Sequence, residues 1–391
     1  MSGRSGWWKR TRVEGRFRLA TLAIVLGVIS AGACNDDGPS GTDIAPGTLT
    51  LSKSTVNFVA DAGGANPASD ELSVTATGGS VGAIQAVVQY PNELPSGWLT
   101  AQLSAAVPPA TLTFTVDASE LAWGLYQAAA VVSASEATNR SEIVFVNLDL
   151  RCPQAATGKF TVCGTFTDLE TDEQVGAALQ VVPYDAISYA GAPGAATPLD
   201  ARSILSDASG RFHVLDADAP TLGTVLLTVD DAGMTDERVR TGTSFPFSGS
   251  IRLLDFSLPT TRRSTTQTWT STAGDPFGGA TFADSGAVVS IFIAGGQRVE
   301  GVQALVNGSP GTSFYFADAE ASTVLEVDPE LPATGLNGTA LSVRSALVPY
   351  SGQGGEPTGC EWPSKTADAL PGLIWVLRQV AAVTGSPGED C

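Results

Sequence analysis

His213 is the only histidine of the chain, and this limits the catalytic chemistry that the sequence can support. A zinc peptidase site needs at least two nitrogen ligands and a carboxylate base, which one histidine cannot supply. A Ser-His-Asp triad could draw on Asp216 and on Ser80, which lies in a Gly-x-Ser-x-Gly match at Gly78–Gly82. That motif works between a strand and a helix, whereas residues 84–88 have the pattern of a strand. The sequence therefore predicts a glycine-rich turn at Gly78–Gly82, a strand-surface position for His213 and no enzymatic activity.

Acidic side chains are the second group that could do chemistry. Asp168, Glu170 and Asp172 alternate along the chain, as the calcium ligands of a loop commonly do. A calcium loop also needs a glycine for its turn, and none comes before Gly176. The favoured interpretation is a solvated charged loop, and these three residues are the candidate calcium ligands if it holds a metal. No other metal and no cofactor is expected, and no spacing singles out a carboxylate pair for glycoside cleavage.

Five aromatic residues lie near predicted turns, where they could contact a glycan: Trp98, Trp123, Tyr126, Trp269 and Trp362. A sugar stacks its apolar face on an exposed aromatic ring, whereas most tryptophans of a β-sandwich are buried in its core. We expect Trp98 in the core. Trp123 lies in a turn, so Trp123 and Tyr126 are the candidate ligand-binding residues.

Four cysteines remain when Cys34 is set aside, and an even number in an exported chain indicates two disulfides. They are Cys152, Cys163, Cys360 and Cys391. Three pairings are possible, and the simplest is local, joining Cys152 to Cys163 and Cys360 to Cys391. Zinc is the alternative, but these cysteines include no Cys-x-x-Cys pair.

Residues 1–33 have the order of a secretory signal sequence. A cationic start is followed by an apolar run at 19–29 and by small residues at 30–33. The apolar run has about 11 residues, too few for the roughly 20 that a membrane-spanning helix needs. A buried core helix is the alternative interpretation of the same run.

Residues 31–34, Ala-Gly-Ala-Cys, resemble the bacterial lipobox. The resemblance implies that Cys34 is acylated, becomes the new N-terminus and anchors the chain to a membrane. Ala31 stands where the lipobox usually has leucine, so cleavage without lipidation stays open. Residues 34–46 would then be the lipidated cysteine and a flexible polar tether.

The charge of the chain excludes some partners. The leader holds six of the 21 basic residues and one of the 40 acidic residues, so the chain after it has a formal net charge of −24. Nucleic acid and anionic lipid attract basic patches, and this balance argues against both as charge-driven partners. It is typical of a protein exposed outside the cell, and we expect a location in the bacterial cell envelope.

The elements that position these residues have β patterns. Short alternating or β-branched runs recur, among them 71–77, 111–116 and 142–148, and Gly, Pro, Asn or Asp separates most of them. The chain has 43 Gly and 23 Pro, and no long segment repeats apolar residues at helical spacing. We predict an all-β chain of tandem immunoglobulin-like β-sandwich domains behind the signal segment.

Three segments of residues 47–150 carry a family resemblance: Leu51–Phe58, Ser96–Thr100 and Leu121–Tyr126. They resemble the BACON family of immunoglobulin-like sandwiches. The resemblance implies carbohydrate as a ligand of this first domain.

Residues 158–259 contain Asp-x-x-Gly-x-Phe at 207–212, in which Asp caps a tight turn, Gly takes a positive φ and Phe faces the core. This sequence resembles the carboxypeptidase regulatory-like (transthyretin-like) sandwich. Residues 286–391 resemble the same family through Gly301–Gly308, and residues 260–285 are predicted to be a linker. The resemblance covers only the attached module of carboxypeptidases, so it implies no peptidase activity.

The favoured function is a non-enzymatic lipoprotein of the cell envelope whose first domain binds carbohydrate. The alternative is a structural or partner-binding surface stalk, with envelope proteins as partners and no small-molecule ligand. An exposed aromatic pair with polar neighbours would favour glycan binding, whereas buried aromatic residues and rigid joints would favour the stalk.

Overall fold

The computed structural model describes most of the chain after residue 44. The described residues are 45–91, 95–176, 179–202, 204–207, 209–231, 238–271, 277–310, 313–317, 326–343, 347–355, 360–383 and 386–390. They belong to one compact unit and are all-β, with three short helices in this part of the chain. None of the helices described is long and apolar enough to cross a membrane. The predicted signal sequence, Cys34 and most of the tether lie outside the described residues.

Eight strands form the first sandwich. They are β1 (Thr48–Leu51), β2 (Thr55–Asp61), β3 (Asp70–Thr77), β4 (Ile84–Gln89), β5 (Leu99–Leu103), β6 (Ala110–Val116), β7 (Gly124–Ala134) and β8 (Ser141–Arg151). One sheet has the order β1-β3-β6-β5 and the other β2-β8-β7-β4. Neighbouring strands are antiparallel except β2 and β8, which are parallel.

Alternation along the strands builds the core of this sandwich. In β3, Leu72 and Val74 are buried while the residues between and beside them are exposed, because successive side chains of a strand point to opposite faces. Trp98 is 2% exposed, as expected, and its ring meets that of Tyr126 edge-on with the centroids 6.4 Å apart. These large rings fill the space between the two sheets.

The remaining elements run from residue 159 to residue 390. They are β9 (Lys159–Asp168), β10 (Leu179–Asp185), α1 (Ala186–Gly191), β11 (Ile204–Leu205), β12 (Arg211–Asp218), β13 (Thr224–Asp231), β14 (Arg238–Pro246), β15 (Ile251–Arg262), α2 (Arg263–Ser271), α3 (Phe282–Ser285), β16 (Ala287–Ala294), β17 (Gln297–Arg298), β18 (Val302–Val306), β19 (Ser313–Phe316), β20 (Val327–Asp328), β21 (Thr339–Ser342), β22 (Val348–Gly354), β23 (Cys360–Ala367), β24 (Leu373–Val380), β25 (Ala382–Val383) and β26 (Ser386–Asp390). One sheet follows the path β11-β10-β13-β14-β24-β16-β21-β19-β20, with β9, β12, β15 and β17 attached beside it. A five-stranded sheet has the order β18-β22-β23-β25-β26.

The predicted linker at 260–285 is corrected by the structure. This segment contains the end of β15 and the helices α2 and α3, and its Trp269 is fully buried. A threonine-rich composition does not require solvent, because Thr266 and Thr268 donate their hydroxyl hydrogen bonds to backbone carbonyls of α2 at 2.8 and 2.7 Å. The strands on either side are also joined, since β24 pairs in parallel with both β14 and β16. One sheet therefore crosses the boundary that was predicted between two separate sandwiches.

Cys152 and Cys163 form a disulfide at the entry to this second part, with their Cα atoms 6.0 Å apart. This is the local pairing that the sequence favoured, and it rules out both crossed pairings. Neither side chain of the predicted Cys360–Cys391 pair is described, so this pair stays a prediction.

Candidate functional site

The first sandwich meets the rest of the chain at one face of β12. Arg211, His213 and Leu215 alternate along this strand, so their side chains lie on the same face. Arg211 contacts the segment of residues 119–126, and Leu215 contacts Gly63. We call this region, formed by the three β12 residues with residues 119–126 and Gly63, the joint.

Tyr126 is fully buried at the joint. Its hydroxyl donates a hydrogen bond to the carbonyl of Ala122 at 2.7 Å and lies 3.4 Å from Oδ2 of Asp207. The Arg211 guanidinium lies 5.0 Å from the centre of its ring, within cation–π range. Burial raises the pKa of the Tyr126 phenol well above its usual range. The prediction of Tyr126 as a ligand-binding residue is therefore wrong, because its ring is enclosed by the joint.

Trp123 is half-buried and is attached to the second part of the chain. Its Nε1 donates a hydrogen bond to the carbonyl of Gly164 in β9 at 3.2 Å, and its own carbonyl lies 3.4 Å from Nη1 of Arg211. The exposed aromatic pair that glycan binding would require is not formed by Trp123 and Tyr126. Both residues instead make contacts across the joint.

The turn predicted at 207–212 positions Arg211. The Asp207 carboxylate accepts hydrogen bonds from the backbone N–H groups of Ser209 and Arg211 at 2.8 and 2.9 Å. Gly210 has φ +72°, and Phe212 is fully buried, as the sequence indicated. Asp207 also forms an ion pair with Arg211 at 3.6 Å, in which the side chains are 7% and 15% exposed. The turn thus places the buried Asp207–Arg211 ion pair at the joint.

A groove of about 380 Å³ opens beside the joint. Its polar lining includes Glu120 of the first sandwich and Arg202 and His213 of the second part. Burial, and then the charge of Arg202, lowers the pKa of His213. His213 Nδ1 has no hydrogen-bond partner among the described residues. His213 lies in a strand, as predicted. Its side chain faces the first sandwich and not open solvent, which corrects the predicted surface position.

The candidate triad residues bond elsewhere. Asp216 Oδ1 accepts a hydrogen bond from the backbone of Ala156 at 2.7 Å. Ser80 Oγ accepts one from Gly82 at 3.2 Å, inside the glycine-rich turn that was predicted. Neither residue hydrogen-bonds to His213.

The candidate calcium ligands are bound to arginines or buried. Asp168 Oδ2 lies 3.4 Å from Nη1 of Arg238, and Asp172 binds Arg298 through both carboxylate oxygens at 2.8 Å. Burial raises the pKa of Glu170. The three candidates do not present a shared set of free oxygen ligands, because Asp168 and Asp172 face arginines and Glu170 Oε1 accepts a hydrogen bond from the Thr265 hydroxyl. In the described part of the chain, no group of three or more His, Cys, Asp or Glu residues is placed to hold a metal ion.

The outer face of the sheet β2-β8-β7-β4 is a second candidate site, which the sequence interpretation missed. We call it the amide face; it comprises Asn57, Val59, Gln85, Val87, Gln89, Leu125, Gln127, Val131, Ile143, Phe145 and Asn147. Gln127 Nε2 donates to Oδ1 of Asn147 at 3.3 Å, and Asn147 Nδ2 donates to Oδ1 of Asn57 at 2.9 Å. These bonds link amides across three neighbouring strands.

Apolar side chains of the amide face are unusually open to solvent. Phe145 and Val87 are each 53% exposed, and Leu125 is 59% exposed. The charged outward residues of β8 lie only at the C-terminal end of this strand, where Asp149 and Arg151 form an ion pair at 3.0 Å. The sequence signal was available, since amide and apolar residues occupy outward alternate positions in all four strands.

Comparison with known proteins gives no family for this chain. No family model matches it, and no curated protein matches it. Similar solved structures include the human desmocollin-1 ectodomain, at 9% identity and TM-score 0.21 over 85% of this chain and 60% of that one. A proposed carbohydrate-binding protein from Bacteroides ovatus has 10% identity and TM-score 0.22 over 53% of this chain and 71% of that one. Mouse cadherin-23 EC22-24 has 10% identity and TM-score 0.18 over 85% and 99%.

The chain thus spans 60% of the length of the desmocollin-1 ectodomain. At these TM-scores the likenesses carry no argument about the ligand or partner of this chain.

Proposed function

We propose that this chain is a non-enzymatic structural protein of the bacterial cell exterior, whose joint holds the first sandwich in a fixed orientation. The observation that carries the proposal is that Trp123 and Tyr126 both bond across the joint. The leader sequence supports anchorage in the envelope through Cys34 as part of the same proposal.

Several different contacts support a rigid joint. The Asp207–Arg211 ion pair is nearly enclosed, and its cation also lies over the Tyr126 ring. The Cys152–Cys163 disulfide closes the connection between β8 and β9 into a short loop, with a sequence separation of 11. The short closed loop limits how far the two parts can swing. So do the contacts of Arg211 and Asp207, which both reach across the joint to Tyr126.

Small-angle X-ray scattering tests this proposal. We expect the scattering of the purified chain after residue 44 to fit one conformer. Trp123→Ala combined with Arg211→Ala should broaden the distribution of dimensions, while far-UV circular dichroism stays unchanged. The matched control is Arg151→Ala, which removes an exposed arginine from the same sandwich. A wild-type profile that requires many orientations of the first sandwich would contradict the proposal.

A second candidate function is binding of an uncharged polysaccharide on the amide face. Amide side chains both donate and accept hydrogen bonds, as sugar hydroxyls require, and exposed apolar side chains cover the apolar face of a sugar ring. Neighbouring strands lie about 4.8 Å apart, so a glycan laid across the strands would meet one amide on each strand. The chain is strongly acidic and would repel an anionic polymer, and the amide face carries charges at one end only. The face is therefore suited to a neutral polysaccharide.

Affinity electrophoresis through gels that contain neutral polysaccharides tests this second function. Phe145→Ala and Asn147→Ala should each reduce the retardation of the protein. Leu254→Ala is the control, because it removes an apolar side chain that is 49% exposed in β15. Absence of retardation by every neutral polysaccharide, or equal retardation of all variants, would remove the amide face as a glycan site.

A further inference from the structure

The groove beside the joint is lined from both sides of the joint. Its volume of about 380 Å³ lies within the range of small-molecule sites, which is about 300–1,000 Å³. The first sandwich contributes Glu120, and the second part contributes Arg202 and His213. The apolar part of the lining also comes from both sides and comprises Leu121, Ala122, Ile204 and Leu215. The groove thus combines a few polar groups with apolar surface, as sites for small organic molecules do.

Arg202 is held in place on one edge of its guanidinium and open on the other. Its Nε lies 2.9 and 3.0 Å from the two carboxylate oxygens of Asp200. Its Nη2 donates hydrogen bonds to Oδ2 of Asp200 at 2.5 Å and to the backbone carbonyl of Leu215. Nη1 has no hydrogen-bond partner among the described residues, and the side chain is 61% exposed. A guanidinium has five N–H donors in a fixed plane, so the two on Nη1 are available to an anion in the groove.

His213 supplies a second donor next to Arg202. Leu215, whose carbonyl binds the Arg202 guanidinium, is two residues from His213 along β12, and both side chains line the groove. Nδ1 of His213 is buried without a hydrogen-bond partner among the described residues, so Nε2 is the ring nitrogen that borders the groove. A buried N–H group without a partner is rare, which places the ring proton on Nε2. The second part therefore presents N–H donors of both side chains to the groove.

Glu120 supplies the opposite charge from the first sandwich. Its side chain is exposed, and its carboxylate forms no hydrogen bond or ion pair in the part of the chain that the structure describes. Glu120 and Arg202 thus line one groove without pairing with each other. Two unlike charges that are held apart, one on each side of the joint, are complementary to a molecule that carries both charges itself.

We infer that the groove binds a small zwitterion of the amino acid or short-peptide class that has an apolar side chain. Arg202 and His213 donate hydrogen bonds to its carboxylate, and Glu120 accepts hydrogen bonds from its ammonium. The apolar lining of the groove covers its side chain and removes apolar surface from water. The inference rests on the fixed orientation of the first sandwich proposed above, because Glu120 and Arg202 belong to different sides of the joint.

Isothermal titration calorimetry of the purified chain after residue 44, at neutral pH, tests the site. Leucine and leucyl-leucine are the zwitterionic probes, and they differ in the distance between ammonium and carboxylate. Isocaproate has the leucine side chain without the ammonium, and isoamylamine has it without the carboxylate. We expect one zwitterion per chain, bound more tightly than either singly charged probe. The tighter of the two zwitterions identifies the ligand as an amino acid or as a peptide.

Variants of the two charged residues assign the contacts. Glu120→Gln should weaken binding of the tighter zwitterion about fivefold and leave isocaproate binding unchanged, because only the ammonium contacts Glu120. Arg202→Lys keeps the positive charge but loses the planar donors, and it should weaken zwitterion and isocaproate binding about tenfold or more. Glu136→Gln changes an exposed glutamate elsewhere on the first sandwich, and Arg240→Lys changes an arginine that also pairs with an aspartate. Both control variants should bind as the wild type does.

Three results would overturn the inference. They are no binding of either zwitterion, binding of isocaproate or isoamylamine as tight as that of both zwitterions, and an equal effect of Glu120→Gln on the zwitterion and on isocaproate. Small-angle X-ray scattering of the same samples distinguishes this failure from failure of the joint. A single conformer without binding refutes the groove site alone, whereas many orientations of the first sandwich refute the joint and the groove site together.

Discussion

Replacing Arg211 by methionine is the sharpest test of the joint. The change keeps an apolar stem. It leaves Asp207, which is 7% exposed, with backbone N–H groups and the Tyr126 hydroxyl as its remaining donors. Removing one partner of a buried ion pair costs about 3–5 kcal/mol, and losing a cation–π contact adds about 0.5–1 kcal/mol. The backbone bonds to Asp207 and the 3.6 Å separation of the pair reduce the first figure. We expect Arg211→Met to lower the free energy of unfolding by about 2–4 kcal/mol.

Arg151→Met is the matched control for this change. The Arg151–Asp149 pair is closer, at 3.0 Å, but its side chains are 60% and 40% exposed. Exposed pairs contribute about 0–1 kcal/mol, so the shorter pair should matter less than the buried one. Differential scanning calorimetry, with a double-mutant cycle through Asp207→Asn, measures both effects. Equal costs for the two arginines, or a cycle with no coupling between Arg211 and Asp207, would refute the argument that burial and not distance sets the energy.

Four further predictions follow from the structure and the sequence. The folded state lowers the pKa of His213, so below about pH 6.5 the unfolded chain takes up a proton that the folded chain does not, and the wild type loses stability as the pH falls. His213→Gln should make this loss of stability smaller. Thermal melts in which wild type and variant lose stability equally with pH would count against it. Trp98→Ala should cost about 3–5 kcal/mol in denaturant unfolding, since a buried ring is deleted, and a cost below about 1 kcal/mol would show that the core repacks. Replacing both Cys152 and Cys163 by serine should cost about 2–3 kcal/mol, measured against the oxidised wild type, and an unchanged melting temperature would contradict this. Cys34→Ser should release the protein from the membrane fraction, and a mature N-terminus that carries no lipid in the wild type would exclude this anchor.

Local signals in the sequence predicted local structure well. The Asp207-x-x-Gly210 turn, the alternation that buries Leu72 and Val74, and the Cys152–Cys163 pair each depend on residues close together in the chain. Such features follow from backbone geometry and side-chain period, which a single sequence displays.

Long-range pairing could not be read in the same way. Leu121–Tyr126 carried part of the family resemblance, but nothing in that segment shows that Arg211 covers the Tyr126 ring. The linker prediction failed because composition alone does not distinguish a solvated loop from a helix whose threonines bond to their own backbone. Non-local partners decide both cases, and they become visible only when the strands are assembled.

The position of β24 has a consequence for biogenesis. Residues 373–380 form an inner strand between β14 and β16, although they are synthesised long after both neighbours. The large sheet therefore cannot close while the chain is still emerging, and until then β14 and β16 present unpaired edges that other chains could join. A chain shortened before residue 373 would keep those edges permanently. Assembly of this half of the molecule is thus a late event that depends on arrival of its last long inner strand.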